Sequence, residues 1–326
     1  MALQEFRPVY LKTYENGEFE KKINLAFQKL EDCSICPRNC GANRLKSEKG
    51  ICSSGYLPKV SSFSPHFGEE QPLVGHRGSG TIFLTHCNLG CSFCQNYDIS
   101  HEGMGTEISF EQFAKIILKL QTLGCHNINF VSPTHFVPQI LKAVFLAIEK
   151  GLSVPIVYNT GGYESQETLE LLESVADIYL LDMKFGRPEH ARLLSEAPDY
   201  VTVNRQTVAE TYRQVGLLKL DGEGIALSGL IIRHLVLPEG LAGTRQVLEF
   251  IAGELSNEVH LSLMAQYYPA YRAQELTELS RPLCDQEYRE AELLLEKFGF
   301  INGWVQQLEA QAYYRPDFSS PDPFSA

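Results

Sequence analysis

From residue 80 onward the chain alternates short apolar runs with stretches of helical periodicity, and this alternation limits the available folds more than any other feature. TIFLTH (81–86), NINFVS (127–132), SVPIVYN (153–159), ADIYLLDMK (176–184), a run within GIALSGLIIRHLVL (224–237) and EVHLSLM (258–264) read as strands. Between them lie helical patterns at 109–124, 138–151, about 166–174, a segment ending at 207–216, and 243–255, several of them closed by glycine. Strands separated by helices demand a parallel sheet with helical crossovers, either an open doubly wound sheet or a full or partial barrel. Eight units would complete a barrel. Six predict an α/β fold, a partial (β/α)6 TIM-like barrel preceded by a Cys-rich metal-binding segment. The expected organisation is residues 1–72 for an N-terminal helix (16–31) and a four-cysteine segment, 73–270 for the barrel, and 271–326 for an extension with a helix at 286–298 and a short strand in INGWVQQ.

Nine cysteines in 326 residues need an explanation. No apolar run approaches a membrane span, and the first residues lack the apolar centre of a signal peptide, so a cytoplasmic protein without a membrane partner is expected. A reducing compartment disfavours structural disulfides, which turns clustered cysteines toward metal or redox chemistry. Cys33, Cys36, Cys40 and Cys52 form one group and Cys87, Cys91 and Cys94 another. Cys125 and Cys284 stand alone and read as buried or free thiols. A net charge of −12 disfavours a nucleic-acid partner, because phosphate contacts need a basic face.

The second group, His86-Cys87-Asn88-Leu89-Gly90-Cys91-Ser92-Phe93-Cys94, follows the first strand directly. A cubane iron–sulfur cluster normally takes four thiolates. Three leave one iron open, and an open position marks a catalytic rather than a structural site. A zinc site completed by His86 is the alternative. The C-x3-C-x2-C spacing, with aromatic Phe93 before the last cysteine, resembles the radical S-adenosylmethionine superfamily. The resemblance implies a [4Fe-4S] cluster on Cys87, Cys91 and Cys94 whose free iron chelates the amino and carboxylate groups of S-adenosylmethionine, with Phe93 near the adenine. It further implies reductive cleavage to a 5′-deoxyadenosyl radical that takes a hydrogen atom from a substrate.

Within that superfamily, residues 80–270 are similar to the pyruvate formate-lyase activating enzyme branch. CQNYD (94–98) matches its C-x-N-x-D run and brings Asn96 to the cofactor. Asn159-Thr160-Gly161-Gly162-Tyr163 resembles D-T-N-G-F, and Leu181-Asp182-Met183-Lys184 resembles L-D-L-K, a pair lying close to the cofactor. Asp182 and Lys184 are two apart on a strand and so face the same way. Arg233 interrupts an apolar strand, which is costly unless it is paired; a cofactor carboxylate or Asp182 could serve, and the branch has an arginine in this strand. His234, on the opposite face, reads as a packed histidine. One stretch departs. Where the branch carries S-G-G-E-P, this chain has Ser132-Pro133-Thr134-His135-Phe136, which reads as an N-cap followed by proline at the first helical position. The resemblance still implies that Ser132 lies at the cofactor, its amino group held by backbone carbonyls of this stretch, and Asn159 replaces an aspartate.

Cys33-x2-Cys36-Pro37-x2-Cys40, then Cys52, is a complete four-thiolate set in a stretch too rich in Gly, Pro and polar residues to build its own core. Such a set closes the shell of a zinc ion or of an auxiliary iron–sulfur cluster, and metal binding there would be coupled to folding. The CPRNCGANR…GIC arrangement resembles an uncharacterised activating-enzyme-like branch, as do IIRHLVLPEG (231–240) and LSLMAQYYPAYRA (261–273). Gln266, Tyr267 and Tyr268 in the last stretch read equally as pocket lining or core. Three functions follow: a radical enzyme acting on a protein, as a glycyl-radical activating enzyme does; a radical enzyme acting on a small molecule or peptide; or a non-catalytic iron–sulfur or zinc protein. The resemblance implies flavodoxin or ferredoxin as electron donor.

Overall fold

A computed structural model describes residues 6–313, 315–320 and 323–324. Among the described residues there are ten strands: β1 (Lys59–His66), β2 (Ser79–Leu84), β3 (Thr106–Glu107), β4 (Ile128–Val131), β5 (Ile156–Thr160), β6 (Ile178–Asp182), β7 (Lys219–Leu220), β8 (Ala226–Leu235), β9 (His260–Met264) and β10 (Gly303–Val305). They join in the order β10-β9-β8-β6-β5-β4-β2-β1-β3, with β7 on the side of β8. Every pairing from β2 through β10 along that path is parallel, while β1 runs antiparallel to β2 and to β3. The six anticipated strands are β2, β4, β5, β6, β8 and β9, in that spatial order. The fold is therefore α/β with a mostly parallel sheet, a partial barrel whose two edges are β10 and β3.

The side-chain period of two sorts each strand into two faces. Ile82, Ile128, Phe130, Ile156, Tyr158, Tyr179, Leu181, Leu230 and Ile232 pack outward against the helices, in one core with Phe113, Ile117, Ile140 and Val144. The opposite face carries Val157, Ile178, Leu180 and Ile231, and Leu73 fills the space between them. Polar residues occupy the next layer of this inner face. Polar groups in such a mostly buried interior are costly unless they are partnered.

The helix Phe110–Thr122 starts on a capping box, with Ser109 accepting from the Gln112 amide and the Gln112 side chain reaching back. The helix after β4 differs from expectation. It spans Val137–Ile148, behind a short 3₁₀ turn at Thr134–Phe136, with Pro138 rather than Pro133 in its first turn. Ser132 is not an N-cap; it takes a left-handed φ of 55°, an uncommon state for a non-glycine residue that marks a sharp turn at the strand's end. β1, at KVSSFSPH, carried no strand signal because its burial follows no alternation. No helix among the described residues is long and apolar enough to cross a membrane.

The N-terminal helix Val9–Glu15 is held to the barrel by Asp177, whose two oxygens accept from the amides of Val9 (2.8 Å) and Ile156 (2.9 Å). Burial outweighs these two donors and pushes the Asp177 carboxyl up to about 7. Between the ordinary carboxylate range and that value the folded state retains a proton that the unfolded state has lost. Stability from this group is thus present at acid pH and is lost as the pH rises through about 7. Urea midpoints should decline across this window, and Asp177→Asn should flatten the decline; an unchanged slope would show that Asp177 does not titrate there.

Candidate active site

The cysteine loop leaves the C-terminal end of β2, where parallel α/β barrels gather their chemistry. Backbone bonds pin it: the Gly90 and Ser92 amides donate to the carbonyls of Ser195 and Leu194. Arg38, from the N-terminal segment, donates to the Asn88 carbonyl at 2.9 Å. The Cys87 Sγ accepts from the Leu89 amide at 3.4 Å, and the Cys94 Sγ lies 3.1 Å from the Ser100 hydroxyl. All three thiols line one cavity of about 220 Å3. Burial pushes the Cys87 thiol up to about 11 and raises Cys91 and Cys94 as well; nearby Lys184 opposes the rise in each. Thiolates here need a cation to replace their protons, which is what a metal cluster supplies.

The same cavity is lined by Phe93, Asn96, Ser132, Asn159, Thr160, Asp182, Lys184 and Arg233. Phe93 packs edge-on to Phe185 and Tyr267. Register explains the convergence of the charges: Asp182 ends β6 directly beside Arg233 of β8. The Asp182 oxygens accept from Arg233 Nε (2.8 Å) and Lys184 Nζ (2.6 Å). Arg233 spends its remaining donors on Asn159 Oδ1 (2.7 Å) and Glu69 (3.0 Å). Burial works against the Asp182 charge, but Arg233 and Lys184 outweigh it and hold the carboxyl below its usual range. For Glu69 burial wins over the same arginine, and its carboxyl is raised.

Glycine is required at 162. Its φ is +74°, and a Cβ there would lie 2.6 Å from the Asp182 carbonyl oxygen. This close approach docks the turn after β5 onto the end of β6. Glu164, just beyond, is fully buried and accepts from Thr134 (2.6 Å), from Tyr158 (3.1 Å) and from Thr160. The stretch that departs from S-G-G-E-P is thus tied down by a glutamate from the next loop. His135 is buried too, its Nε2 2.8 Å from the Thr85 carbonyl.

Other expectations resolve individually. His86 lies against Gly103, where an added Cβ would meet its ring at 2.4 Å. Gln266 lines the cavity, Tyr267 is buried in the core, and Tyr268 stacks under Arg315. His234 is buried and bonded to the Met183 carbonyl and Thr244. Cys125 is buried and Cys284 exposed. Glu69 and Glu70 lie outside the residues singled out from sequence. GEEQP reads as a polar turn, and nothing local signals that Glu69 meets an arginine 164 positions away.

In the N-terminal group Cys33, Cys36 and Cys52 are buried and Cys40 is half-buried. Gly50 gives its thiol neighbour room, since a Cβ there would stand 2.3 Å from Cys40 Sγ. Burial pushes Cys36 up to about 12, with the charges of Cys52 and Cys33 acting in the same sense. Arg44 is completely buried. Its donors go to the carbonyls of Gly55 (2.9 and 3.1 Å) and His135 (2.6 Å), with Cys33 Sγ at 4.0 Å. Among the described residues no three His, Cys, Asp or Glu side chains converge as the ligands of a single ion. Three thiols lining one cavity are the kind of donor set that a cubane cluster takes. The four-cysteine set is gathered but not closed around one point.

Arg44 stitches this segment to the barrel. Arg44→Met keeps the volume but strands carbonyls of Gly55 and His135, at an expected cost on the order of 3 kcal/mol. A urea midpoint indistinguishable from wild type would show that these bonds contribute nothing.

The sequence profile of the Radical SAM superfamily matches residues 81–220, the span from β2 to β7 that contains the cysteine trio, Asp182 and Lys184. A curated archaeal protein, "Uncharacterized protein MJ0674" of Methanocaldococcus jannaschii, is 34% identical over 290 residues, covering 85% of this chain and 78% of its own. The chain belongs to the radical SAM superfamily. Membership makes it a radical SAM enzyme and brings a [4Fe-4S] cluster and S-adenosylmethionine as its working groups. Among solved structures it is similar to the FeFe-hydrogenase maturase HydG of Carboxydothermus hydrogenoformans, at 14% identity and TM-score 0.49 over 91% of this chain and 68% of that one. It is also similar to a radical SAM methyltransferase from Sphaerobacter thermophilus, at 16% identity and TM-score 0.45 over 69% of this chain and 66% of that one.

Proposed function

We propose that this radical SAM enzyme holds its cluster on Cys87, Cys91 and Cys94 and abstracts hydrogen from a small molecule or a peptide segment that enters the barrel. The observation that carries this reading is the single cavity shared by the three thiols and the Asp182–Lys184–Arg233 network. When bound, the cluster supplies the electron that cleaves S-adenosylmethionine to methionine and a 5′-deoxyadenosyl radical. The chain's own residues do the rest. Phe93 offers an aromatic edge for the adenine. Asn96, Ser132, Asn159 and Thr160 supply polar atoms along the cofactor's length. Arg233 and Lys184 keep Asp182 ionised, so it can orient a cationic or hydroxyl group. The apolar walls exclude water that would otherwise quench reactive intermediates.

The cavity lies inside the barrel, so a compact molecule or an inserted segment suits it better than a folded domain does. A second reading, activation of a glycyl-radical protein through an inserted loop, is favoured by the likeness of 159–163 and 181–184 to the activating-enzyme branch. The four N-terminal cysteines are proposed to hold zinc or an auxiliary iron–sulfur cluster. Buried Arg44 supports this, because among the described residues no carboxylate pairs with it, and a thiolate at Cys33 would balance it. Flavodoxin or ferredoxin is the proposed electron donor.

The test is anaerobic reconstitution with iron, sulfide and zinc quantified together, followed by dithionite and S-adenosylmethionine. Methionine and 5′-deoxyadenosine in equal amounts are expected. Zinc on the Cys87 trio with no 5′-deoxyadenosine would overturn the assignment.

A further inference from the structure

One carboxylate of the cavity is left over by the chemistry described above. β1 pairs His66 with Ser79, the first residue of β2, so the chain beyond His66 starts at the end of the barrel opposite the cysteine loop. Leu73 plugs that end against Val157, Ile178, Leu180 and Ile231. Just before it, Glu69 and Glu70 rise into the cavity as its floor. Glu69 meets Arg233, and Glu70 is hydrogen-bonded to Ser262, which stands beside Arg233 in the β8–β9 register. Both carboxylates therefore lie in the layer beneath the cysteines.

Charge matching singles out Glu70. Lys184 and Arg233 are taken up by Asp182 and Glu69. No cation is left for Glu70, and its Oε2 is buried with no partner among the described residues. A buried acceptor without a donor is costly, more so beside a second carboxylate. Burial, opposed by Arg233 and reinforced by Glu69, pushes the Glu70 carboxyl up to about 7. A donor that arrives in the cavity from outside the chain would relieve that cost, and one that carries positive charge would also balance the three carboxyls there against two cations. In the proposed reading the amino and carboxylate groups of S-adenosylmethionine would be taken up at the open iron, so the charged donor for the floor comes from the other reactant.

We propose that Glu70 is a specificity residue that receives an ammonium or other cationic N–H group of the substrate, on the cavity floor beneath the cysteine loop. This deepens the small-molecule reading and rests on it. It defines the substrate class as a compact amine, held at its charged end by Glu70 so that a carbon nearer the rim faces the cofactor.

The experiment is calorimetric titration of the anaerobically reconstituted protein with n-butylammonium, n-butanol, butyrate and potassium ion. Wild type should bind n-butylammonium in preference to the isosteric alcohol, the carboxylate and potassium. Glu70→Gln, which keeps the shape and removes the charge, should weaken that binding at least about tenfold, and Glu70→Asp should weaken it less. Equal binding in Glu70→Gln, no preference over n-butanol or potassium, or preference for butyrate would each overturn the proposal. If both variants misfold, the four-ligand comparison on wild type decides alone. Formation of 5′-deoxyadenosine is measured separately. Its absence with amine binding intact would count against the radical reading, whereas cleavage with no amine preference would remove only the floor site.

Discussion

Cys87→Ala, Cys91→Ala and Cys94→Ala are each expected to bring 5′-deoxyadenosine formation to background, while Cys125→Ala and Cys284→Ala retain it. The difference follows from position. The first three thiols line one cavity at the end of β2, whereas Cys125 is buried in the outer core and Cys284 lies on the surface. Two thiolates cannot hold a cubane that already gives up one protein ligand, so each single loss removes the cluster rather than weakening it. The site's own electrostatics sharpen the effect. Burial raises all three thiols, so no isolated cysteine there ionises at neutral pH without a bound cation. Loss of the cluster is read independently of turnover, as disappearance of the iron–sulfur charge-transfer absorption and of about four irons per chain. Retained turnover in any of the three would mean that the electron reaches S-adenosylmethionine from elsewhere.

The parts of this site that were legible in the sequence share a cause: they are local. The trio sits within eight residues of one loop, and Asp182 and Lys184 share a strand face, so spacing alone placed them together. Arg233 was legible as a misfit, a charge in an apolar strand whose partner had to exist, and Asp182 proved to be that partner at 2.8 Å. Six of the seven parallel strands showed themselves as apolar runs because both of their faces are buried. What stayed hidden depended on long-range pairing. β1, between β2 and the short edge strand β3, has mixed burial and no periodic signal. Glu69 and Glu70 belong to a polar turn by composition and to the barrel interior by topology, because an antiparallel β1 carries them to the floor. Ser132 read as a helix cap from its neighbour Pro133, but the preceding strand ends so tightly that Ser132 turns left-handed and the helix starts five residues later. In each of these cases tertiary placement overrode a local rule.

Arg233→Met should destabilise the protein by about 3–5 kcal/mol at neutral pH, the usual cost of stripping one partner from a buried ion network. The guanidinium is the hub. It donates to Asp182, to Glu69 and to Asn159, and its side chain is 17% exposed against 15% and 9% for the two carboxylates. Without it Lys184 still serves Asp182, but Glu69 keeps only the amides of Asn129 and Asn159. The pH dependence of the loss identifies its origin. Arginine favours the charged forms of both acids, so on its removal Asp182 loses part of its depression, while Glu69, already raised by burial, goes further above its value in the unfolded chain. Such a group contributes stability at low pH and forfeits it as the pH rises. The gap between variant and wild type should therefore be widest at neutral pH and should narrow as the pH falls and Glu69 takes up a proton. A gap that stayed constant across this range would point to lost packing of the arginine stem instead of an uncompensated carboxylate. Glu69→Gln placed on the Arg233→Met background then separates the two causes. It should restore most of the lost stability if the stranded charge is responsible, and none of it if the stem's packing is what mattered.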